Sequence, residues 1–236
     1  MVKYEQIASE LCADIKSGRF HSGEQLPLEK EMCEHYGVSR ITVKRAVDEL
    51  VKMGLVVKRR GSGTFVKSLD RHEVKDLSEP DQFLGFAATF KNKDIHTKLL
   101  KFDIVHPDAE VASKLRVTEE DFVYDIVRVR YIGDEPMVIE YTMMPIAVIP
   151  GLKKDHLLNS IYSYIENDLG LKIQSAHRAI RALMPTDKEK EELSITGIMP
   201  IQEISQVAFL ADGRPFEYSI AHHRADKNTF RTVSVR

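Results

Sequence analysis

The sequence predicts an α+β fold in two domains, and three observations lead to that prediction. Apolar residues recur at helical spacing in three stretches between residues 4 and 51, and a short glycine-containing hairpin follows them. Beyond about residue 95 the apolar residues alternate, which is typical of strands. The intervening stretch is charged and poor in large apolar residues. We therefore expect a first domain over 1–68, a linker over 69–82 and a second domain over 83–236.

The three helical stretches lie close together in the chain. The first covers residues 4–17 and the second about 28–36, and Gly37 then supplies a position for a tight turn. Ser39 is well placed to cap a third helix, because its hydroxyl can accept a hydrogen bond from an amide two or three residues on. The third helix is expected to bury an apolar stripe: Val43, Ala46, Val47, Leu50 and Val51.

The start of the third helix carries basic side chains away from that stripe. Arg40 and Lys44 stand one turn apart on one face, and Thr42 lies beside them. In a helix-turn-helix this is the end that meets base edges. An arginine there can hold guanine through two hydrogen bonds, whereas lysine and threonine more often contact phosphate or a single base.

A hairpin with a basic tip follows, with strands at 56–58 and 64–66. Gly61 lets its backbone turn sharply, so that Arg59 or Arg60 could enter a minor groove. Alone, a basic helix or hairpin is more often a solvated surface. Here a helix, a turn, a capped basic helix and a glycine-containing hairpin follow one another in the chain. This order favours a winged helix-turn-helix.

Residues 4–68 carry three matching motifs: Tyr36-Gly37-Val38-Ser39-Arg40, Thr42-Val43-Lys44-Arg45-Ala46 and Gly61-Ser62-Gly63-Thr64-Phe65-Val66. With them the segment resembles the amino-terminal domain of the GntR family of bacterial transcription regulators. The resemblance implies that six residues contact DNA: Lys30, Ser39, Arg40, Thr42, Lys44 and Gly61. Two positions depart from the family pattern, since Leu28 replaces a serine and Lys30 replaces an arginine. Without a serine cap the second helix could lose about 1 kcal/mol, and lysine lacks the bidentate fork of arginine.

The distribution of charge along the chain agrees with a DNA-binding first domain. Residues 1–68 hold 12 Lys and Arg against 9 Asp and Glu, a net charge of +3, whereas the remainder holds 22 against 27, a net of -5. No apolar run is long enough to span a bilayer and no signal segment opens the chain, so we expect a cytoplasmic protein. Cys12 and Cys33 are too few for a structural zinc site, and we read both as buried thiols. We expect no metal and no cofactor.

The second domain is expected to contain an antiparallel sheet with helices against one face. Its predicted strands are residues 96–105, 122–132, 137–143, 172–182, 201–210 and 215–224. Helical stretches are predicted at 160–167 and 186–193. His222 and His223 are adjacent on the last strand and therefore point to opposite faces, which excludes a shared metal site and favours surface or packing roles.

Polar residues of this domain suggest a binding pocket. Arg128 and Arg130 are two apart on one strand and project from the same face, where two guanidinium groups need an anion between them. Glu140 and Glu217 could accept hydrogen bonds from sugar hydroxyls or an amine. Ser160 and Tyr162 add hydroxyls near a helix start that also favours an anion. The alternative is that Arg128 simply pairs with Glu140 across the sheet.

Residues 83–234 resemble the UTRA ligand-binding domain, found in the HutC branch of the GntR family, which has a chorismate-lyase-like fold. The motifs are Val127-Arg128-Val129-Arg130-Tyr131, Val138-Ile139-Glu140-Tyr141, Pro150-Gly151-Leu152, Ser160-Ile161-Tyr162 and Asp212-Gly213-Arg214-Pro215-Phe216-Glu217-Tyr218. The resemblance implies effector contacts from Arg128, Arg130, Glu140, Ser160, Tyr162 and Glu217. Gly85 stands where sugar-phosphate-binding members often have serine.

These observations predict a sequence-specific DNA-binding transcription regulator. We expect a repressor that binds a palindromic operator as a homodimer and is released by a small anionic metabolite such as a sugar phosphate. One alternative is a small-molecule enzyme on the lyase-like fold, although fold alone does not carry function. A protein that coats DNA without sequence preference is disfavoured by the near-neutral net charge of -2.

Overall fold

The computed structural model describes residues 2–68, 86, 89, 90 and 93–230, and it confirms the α+β class. Contacts divide the chain into two compact units, with 2–68 in the first and 93–229 in the second. The expected linker at 69–82 and Gly85 lie outside the described residues.

The first unit contains three helices and a two-stranded hairpin. The helices are α1 (Lys3–Ser17), α2 (Glu29–Tyr36) and α3 (Arg40–Lys52). The antiparallel hairpin consists of β1 (Val56–Arg59) and β2 (Gly63–Val66). Apolar side chains from all three helices and both strands form one core, as the helical spacing predicts: Ile7, Leu11, Ile15, Met32, Val43, Val47, Leu50, Val56 and Val66. Cys12 is buried as expected, whereas Cys33 is only half-buried.

Capping places the starts of α2 and α3. The predicted cap of α3 is confirmed, since the Thr42 amide donates to Ser39 Oγ at 3.3 Å. Helix α2 follows Leu28, whose side chain has no acceptor, but the Leu28 amide donates to Glu31 Oε2 at 2.7 Å. The carboxylate half of a capping box is therefore present without the hydroxyl half.

The tip of the hairpin is held by a side chain from outside both strands. Gln25 Nε2 donates to the Ser62 carbonyl at 2.8 Å. Gly63 has φ +119°, and a Cβ there would lie 2.3 Å from Gln25 Nε2. Glycine at this position is required both by the backbone conformation and by the space that Gln25 occupies.

The second unit is built on a six-stranded antiparallel sheet with the order β3-β4-β5-β8-β7-β6. All six predicted strands are confirmed within two residues. They are β3 (Ile95–Val105), β4 (Val123–Ile132), β5 (Glu135–Pro145), β6 (Ile173–Leu183), β7 (Ile201–Leu210) and β8 (Pro215–Arg224).

The helices of this unit are short. They are α4 (Ala109–Leu115), α5 (Lys154–Leu158), α6 (Ile161–Ser163) and α7 (Asp187–Glu192), and α6 continues as a π-helical turn over Tyr164–Asp168. Helices α4 and α5 were not predicted, although the buried residues Val111 and Leu115 of α4 stand at helical spacing.

Helices pack on both faces of the sheet rather than on one, which corrects the expectation from sequence. Leu157 of α5 and Ile161 of α6 share a core with Ile126 on one face. Leu193 and Ile195, which follow α7, pack with Val129 and Ile201 on the other face. Ile126 and Val129 have opposite parity on β4, so their side chains leave opposite sides of the strand. The face of the sheet that carries Ile126 also carries Arg128 and Arg130, which have the same parity on β4, and it is called the polar face below.

His222 lies on the face opposite the polar face and is more than a packing residue. Its Nδ1 contacts Glu189 Oε1 and its Nε2 lies 3.0 Å from Glu203 Oε2. Glu203 also accepts from Arg181 Nε at 2.6 Å. All three members of the Glu189–His222–Glu203 cluster are buried.

The two carboxyl groups of this cluster titrate below their ordinary range. Hydrogen bonds from Arg181 and then from His222 lower the pKa of Glu203 despite its burial. Burial alone would raise the pKa of Glu189, but hydrogen bonds from Thr186 and His222 outweigh it and the pKa is lowered. The cluster ties α7 to the two strands β7 and β8.

We predict that His222→Phe lowers the stability of the second unit by roughly 3 kcal/mol at pH 7, because it leaves two buried carboxylates without their shared donor. Differential scanning calorimetry of the full chain should show the melting temperature of that unit falling by about 10 °C. The deficit should shrink as pH falls below the ordinary carboxyl pKa of 4.5, since depressed pKa values contribute stability only above that range.

Arg181→Met is the matched control, because the Arg181 side chain is 70% exposed and its loss should cost far less. A His222→Phe protein as stable as the parent at pH 7 would contradict the role of this cluster.

Candidate functional site

The start of α3 collects the residues predicted to read DNA. Arg40 and Lys44 are exposed there and stand one turn apart. Ser39 Oγ lies 3.0 Å from Thr42 Oγ1, so the two hydroxyls form a polar edge beside Arg40. The structure therefore places these four side chains at one helix end, and Lys30 is exposed near the start of α2.

The cations at this helix end are available to a ligand. Within residues 2–68, none of Lys30, Arg40 and Lys44 forms an ion pair. By contrast, Lys58 on the hairpin lies 2.5 Å from Asp48. The three cations predicted to contact DNA are therefore unpaired within these residues, whereas Lys58 is paired with a neighbouring carboxylate.

The two hairpin arginines differ in their surroundings. The Arg59 guanidinium carbon lies 4.4 Å from the centroid of the Phe65 ring, so this side chain is laid against its own hairpin. Arg60 is exposed at the turn, next to Gly61 with φ +75°. Of the two, Arg60 is the better placed to enter a groove.

On the second unit, Arg128 and Arg130 are buried side by side on β4, with exposures of 7% and 3%. Arg128 Nη2 donates to Glu140 Oε2 at 2.6 Å, so the cross-strand pair weighed from sequence does form. Both arginines also hold the α5–α6 segment: Arg128 Nη1 donates to the Leu157 carbonyl at 3.0 Å, and Arg130 Nη1 donates to the Asn159 carbonyl at 2.9 Å.

The two guanidinium groups are incompletely satisfied. The buried Nε atoms of Arg128 and Arg130 have no hydrogen-bond partner among the described residues. The Arg130 guanidinium carbon lies 5.1 Å from the centroid of the Phe86 ring. Burial and the nearby Arg128 lower the pKa of Arg130 to about 10, against the opposing effect of Glu140. Arg130 therefore remains cationic at neutral pH, while the nearby carboxylate of Glu140 pairs with Arg128.

A second polar group surrounds Glu217 on β8. Its Oε1 accepts from Gln206 Nε2 and from Ser219 Oγ, each at 2.7 Å, and Tyr162 also hydrogen-bonds to this carboxyl. Burial raises the pKa of Glu217 despite these donors. Gln206 and Ser219 were missed from sequence, although they are cross-strand partners and stand as polar residues in otherwise apolar strands.

The remaining predicted residue, Ser160, has a local task. Its Oγ accepts from the Ser163 amide at 3.2 Å and caps α6. Helix α6 and the π-helical turn together run from Ile161 to Asp168, and the attraction of this helix start for an anion stays a prediction.

Register places these groups on one side of the sheet. Arg128 is opposite Glu140 on β5, and Val138, the partner of Arg130, is opposite His223 on β8. Because side chains alternate along a strand, Arg128, Arg130, Glu140, Glu217 and His223 all belong to the polar face. His223 was not predicted to lie here. Burial lowers its pKa to about 4, so its ring is neutral at physiological pH.

Metal and membrane sites are not found in the described part of the chain. No group of three or more histidine, cysteine or acidic residues there is arranged to hold a metal ion. Among the same residues, no helix has the length and apolar character to cross a membrane.

Comparison with known proteins agrees with this arrangement. The family model described as "Bacterial regulatory proteins, gntR family" matches residues 3–66, and the "UTRA domain" model matches 91–229. The HTH-type transcriptional regulator GmuR of Bacillus subtilis is 38% identical over the whole of both chains. The mannosyl-D-glycerate transport/metabolism system repressor MngR of Escherichia coli is 33% identical, covering 99% of this chain and 96% of its own.

A solved structure shares the full architecture. The crystal structure of YydK, a possible transcriptional regulator from Bacillus subtilis, matches over 100% of both chains with a TM-score of 0.79 and 25% identity. These relatives are transcription regulators rather than enzymes, which removes the alternative of a lyase-like catalyst. The chain therefore belongs to the GntR family, in its HutC branch, and is a DNA-binding transcription regulator with an amino-terminal winged helix-turn-helix and a UTRA domain.

Proposed function

We propose that this protein is a cytoplasmic repressor that binds a palindromic operator as a homodimer and leaves it when a small anionic metabolite, such as a sugar phosphate, binds the UTRA domain. Residues 1–68 form the reading head, 69–82 the linker and 83–236 the sensor. We assign DNA contacts to Lys30, Ser39, Arg40, Thr42, Lys44, Arg59, Arg60 and Gly61. We assign effector contacts to Arg128, Arg130, Glu140, Ser160, Tyr162 and Glu217.

The observation that carries the effector proposal is the buried, under-satisfied arginine pair. Two adjacent guanidinium groups share one close carboxylate, Glu140, and each retains a buried Nε without a partner among the described residues. Leaving a buried cation without full compensation is costly, and a phosphate or carboxylate supplies the missing charge and acceptors. That imbalance favours an anion on the polar face.

The rest of the polar face is suited to hydroxyl groups. The Glu217 carboxyl, with Gln206, Ser219 and Tyr162 around it, offers both acceptors and donors. A ligand that joins an acidic group to a sugar would satisfy both regions. The name of the relative MngR, a repressor of a mannosyl-D-glycerate system, pairs a sugar with an acid in the same way.

Release requires the ligand to prefer one arrangement of the protein over another. Arg128 and Arg130 already hold the carbonyls of Leu157, in the last turn of α5, and of Asn159, in the connection to α6. An anion that engages the same guanidinium groups competes with these carbonyls. We propose that effector binding thereby shifts the α5–α6 segment, and that this local movement is the first step of DNA release.

The homodimer proposal draws on the exposed edge of the sheet. Strand β6 is an edge strand of 11 residues, most of them exposed. Beside it, an open cleft of about 650 Å³ lies on the face opposite the polar face, between α4 and strands β6 and β7. Apolar side chains line it, among them Val207, Phe209 and Ile220. Long exposed edges are normally covered, and a second copy would cover this one.

We predict that Arg40→Ala weakens operator binding by roughly 10- to 100-fold, as expected for loss of a bidentate base contact, while effector-induced thermal stabilisation is unchanged. Binding is measured by fluorescence anisotropy with a genomic fragment that the parent protein selects. The matched control is Arg19→Ala, since Arg19 is exposed but pairs with Asp14 at 3.1 Å. Loss of both DNA and effector responses in Arg40→Ala would contradict the division into head and sensor.

We predict that Arg130→Met abolishes stabilisation by anions and leaves DNA binding intact, because it removes a buried cation and keeps the stem of the side chain. A thermal-shift series with inorganic phosphate, glucose 6-phosphate, glucosamine 6-phosphate and neutral glucose reads out binding. Arg128→Ala should have the same effect on the ligand response, with an added loss of stability because Glu140 loses its partner. If a ligand that releases the parent protein from DNA also releases the Arg130→Met protein, the proposed effector site is wrong.

We predict that Ile180→Glu shifts the protein from dimer toward monomer in size-exclusion chromatography with light scattering, because it places a charge on an exposed apolar position of β6. Ile180 is 37% exposed. Ile104→Glu at the opposite edge strand β3, where the parent side chain is 59% exposed, serves as the control and should leave the mass unchanged. A dimer that both variants preserve would place the interface elsewhere.

A further inference from the structure

The reading helix α3 presents one large apolar side chain to solvent. Ile41, its second residue, is 70% exposed, whereas Val43, Val47 and Leu50 of the same helix are fully buried. The core of the first unit therefore makes no use of Ile41. An exposed isoleucine is also a poor choice for helix propensity, since β-branched residues lose rotamer freedom in helices.

The neighbours of Ile41 place it inside the proposed DNA contact surface. Arg40 precedes it, and Lys44 and Arg45 follow one turn later, three and four residues on, which are the positions that share a helix face. All three basic residues are exposed. A duplex held by Arg40 and Lys44 therefore meets the Ile41 side chain between those charges. Phosphate cannot be its partner, because an aliphatic group offers no charge or donor.

In the major groove of B-DNA, the apolar feature displayed by a base edge is the C5-methyl group of thymine. Against any other edge, Ile41 would remove water from a base donor or acceptor and return no hydrogen bond. Resting on the proposed operator binding, we propose that Ile41 determines specificity by packing on the C5-methyl of a thymine, and so selects thymine at one position of each half-site.

The first test is selection from a randomised duplex library by the full-length protein, with sequencing of the bound fraction. Parent and Ile41→Ala proteins are compared, and the variant should fold, because the parent side chain is exposed. Leu28→Ala removes another exposed apolar side chain of the same unit, 50% exposed in the parent and outside α3, and should leave the selected sequence unchanged. The expected result is that Ile41→Ala loses thymine preference at one position per half-site and retains the other positions.

The second test removes the methyl group from the DNA. Deoxyuridine replaces thymine at the position whose preference changed, which deletes only the C5-methyl. Parent binding should weaken roughly fourfold, the factor that corresponds to one buried methyl group. The Ile41→Ala protein should change by less than about twofold, since little of the contact remains to be lost.

The outcomes separate this inference from the function on which it rests. If the parent enriches a motif and Ile41→Ala enriches the same motif, operator binding stands and the role of Ile41 is overturned. An equal effect of deoxyuridine on both proteins overturns it as well. If the parent enriches no motif, the proposed operator recognition itself fails, and the inference fails with it.

Discussion

The sensor depends on a charge imbalance built into one strand. Arg128 and Arg130 project from the same side of β4 because side chains alternate, and the sheet buries both. Among the described residues, Glu140 is the carboxylate that pairs with Arg128, and the carbonyls of the α5–α6 segment accept further hydrogen bonds from both arginines. The same two residues therefore contact that segment and are also the ones proposed to bind an anion. In this proposal, binding and conformational response involve the same side chains, so no separate relay between them is required.

In the first unit, the basic side chains differ in whether they form ion pairs. Lys30, Arg40 and Lys44 are exposed and unpaired within residues 2–68, while Lys58 on the hairpin is neutralised by Asp48. A surface whose charges are already paired gains little from releasing the counterions of DNA, whereas unpaired cations gain fully. The net charge of the whole chain, -2, conceals this distribution. The absence of ion pairs within residues 2–68 is what distinguishes the residues proposed to contact phosphate.

Much of the fold and part of the site could be predicted from sequence, and the division has a physical reason. Helical and strand periods, the Ser39 cap and the parity of Arg128 and Arg130 are local properties, and the structure agrees with each. Gln206 and Glu217 lie on consecutive paired strands, so their contact was within reach of the sequence. Glu189 could not be identified as a partner of His222, because that contact depends on where a short helix docks. Spacing along a chain carries no information about such non-local pairings.

The amide of Gln25 has a consequence for how the head fits its target. It anchors the hairpin tip through the Ser62 carbonyl and occupies the space that a side chain at Gly63 would need. Backbone hydrogen bonds already join residues 23–26 to β2, so the Gln25 side chain acts on the tip of the hairpin alone. Exchange of Gln25 for a smaller residue would free that tip without altering any residue of α3.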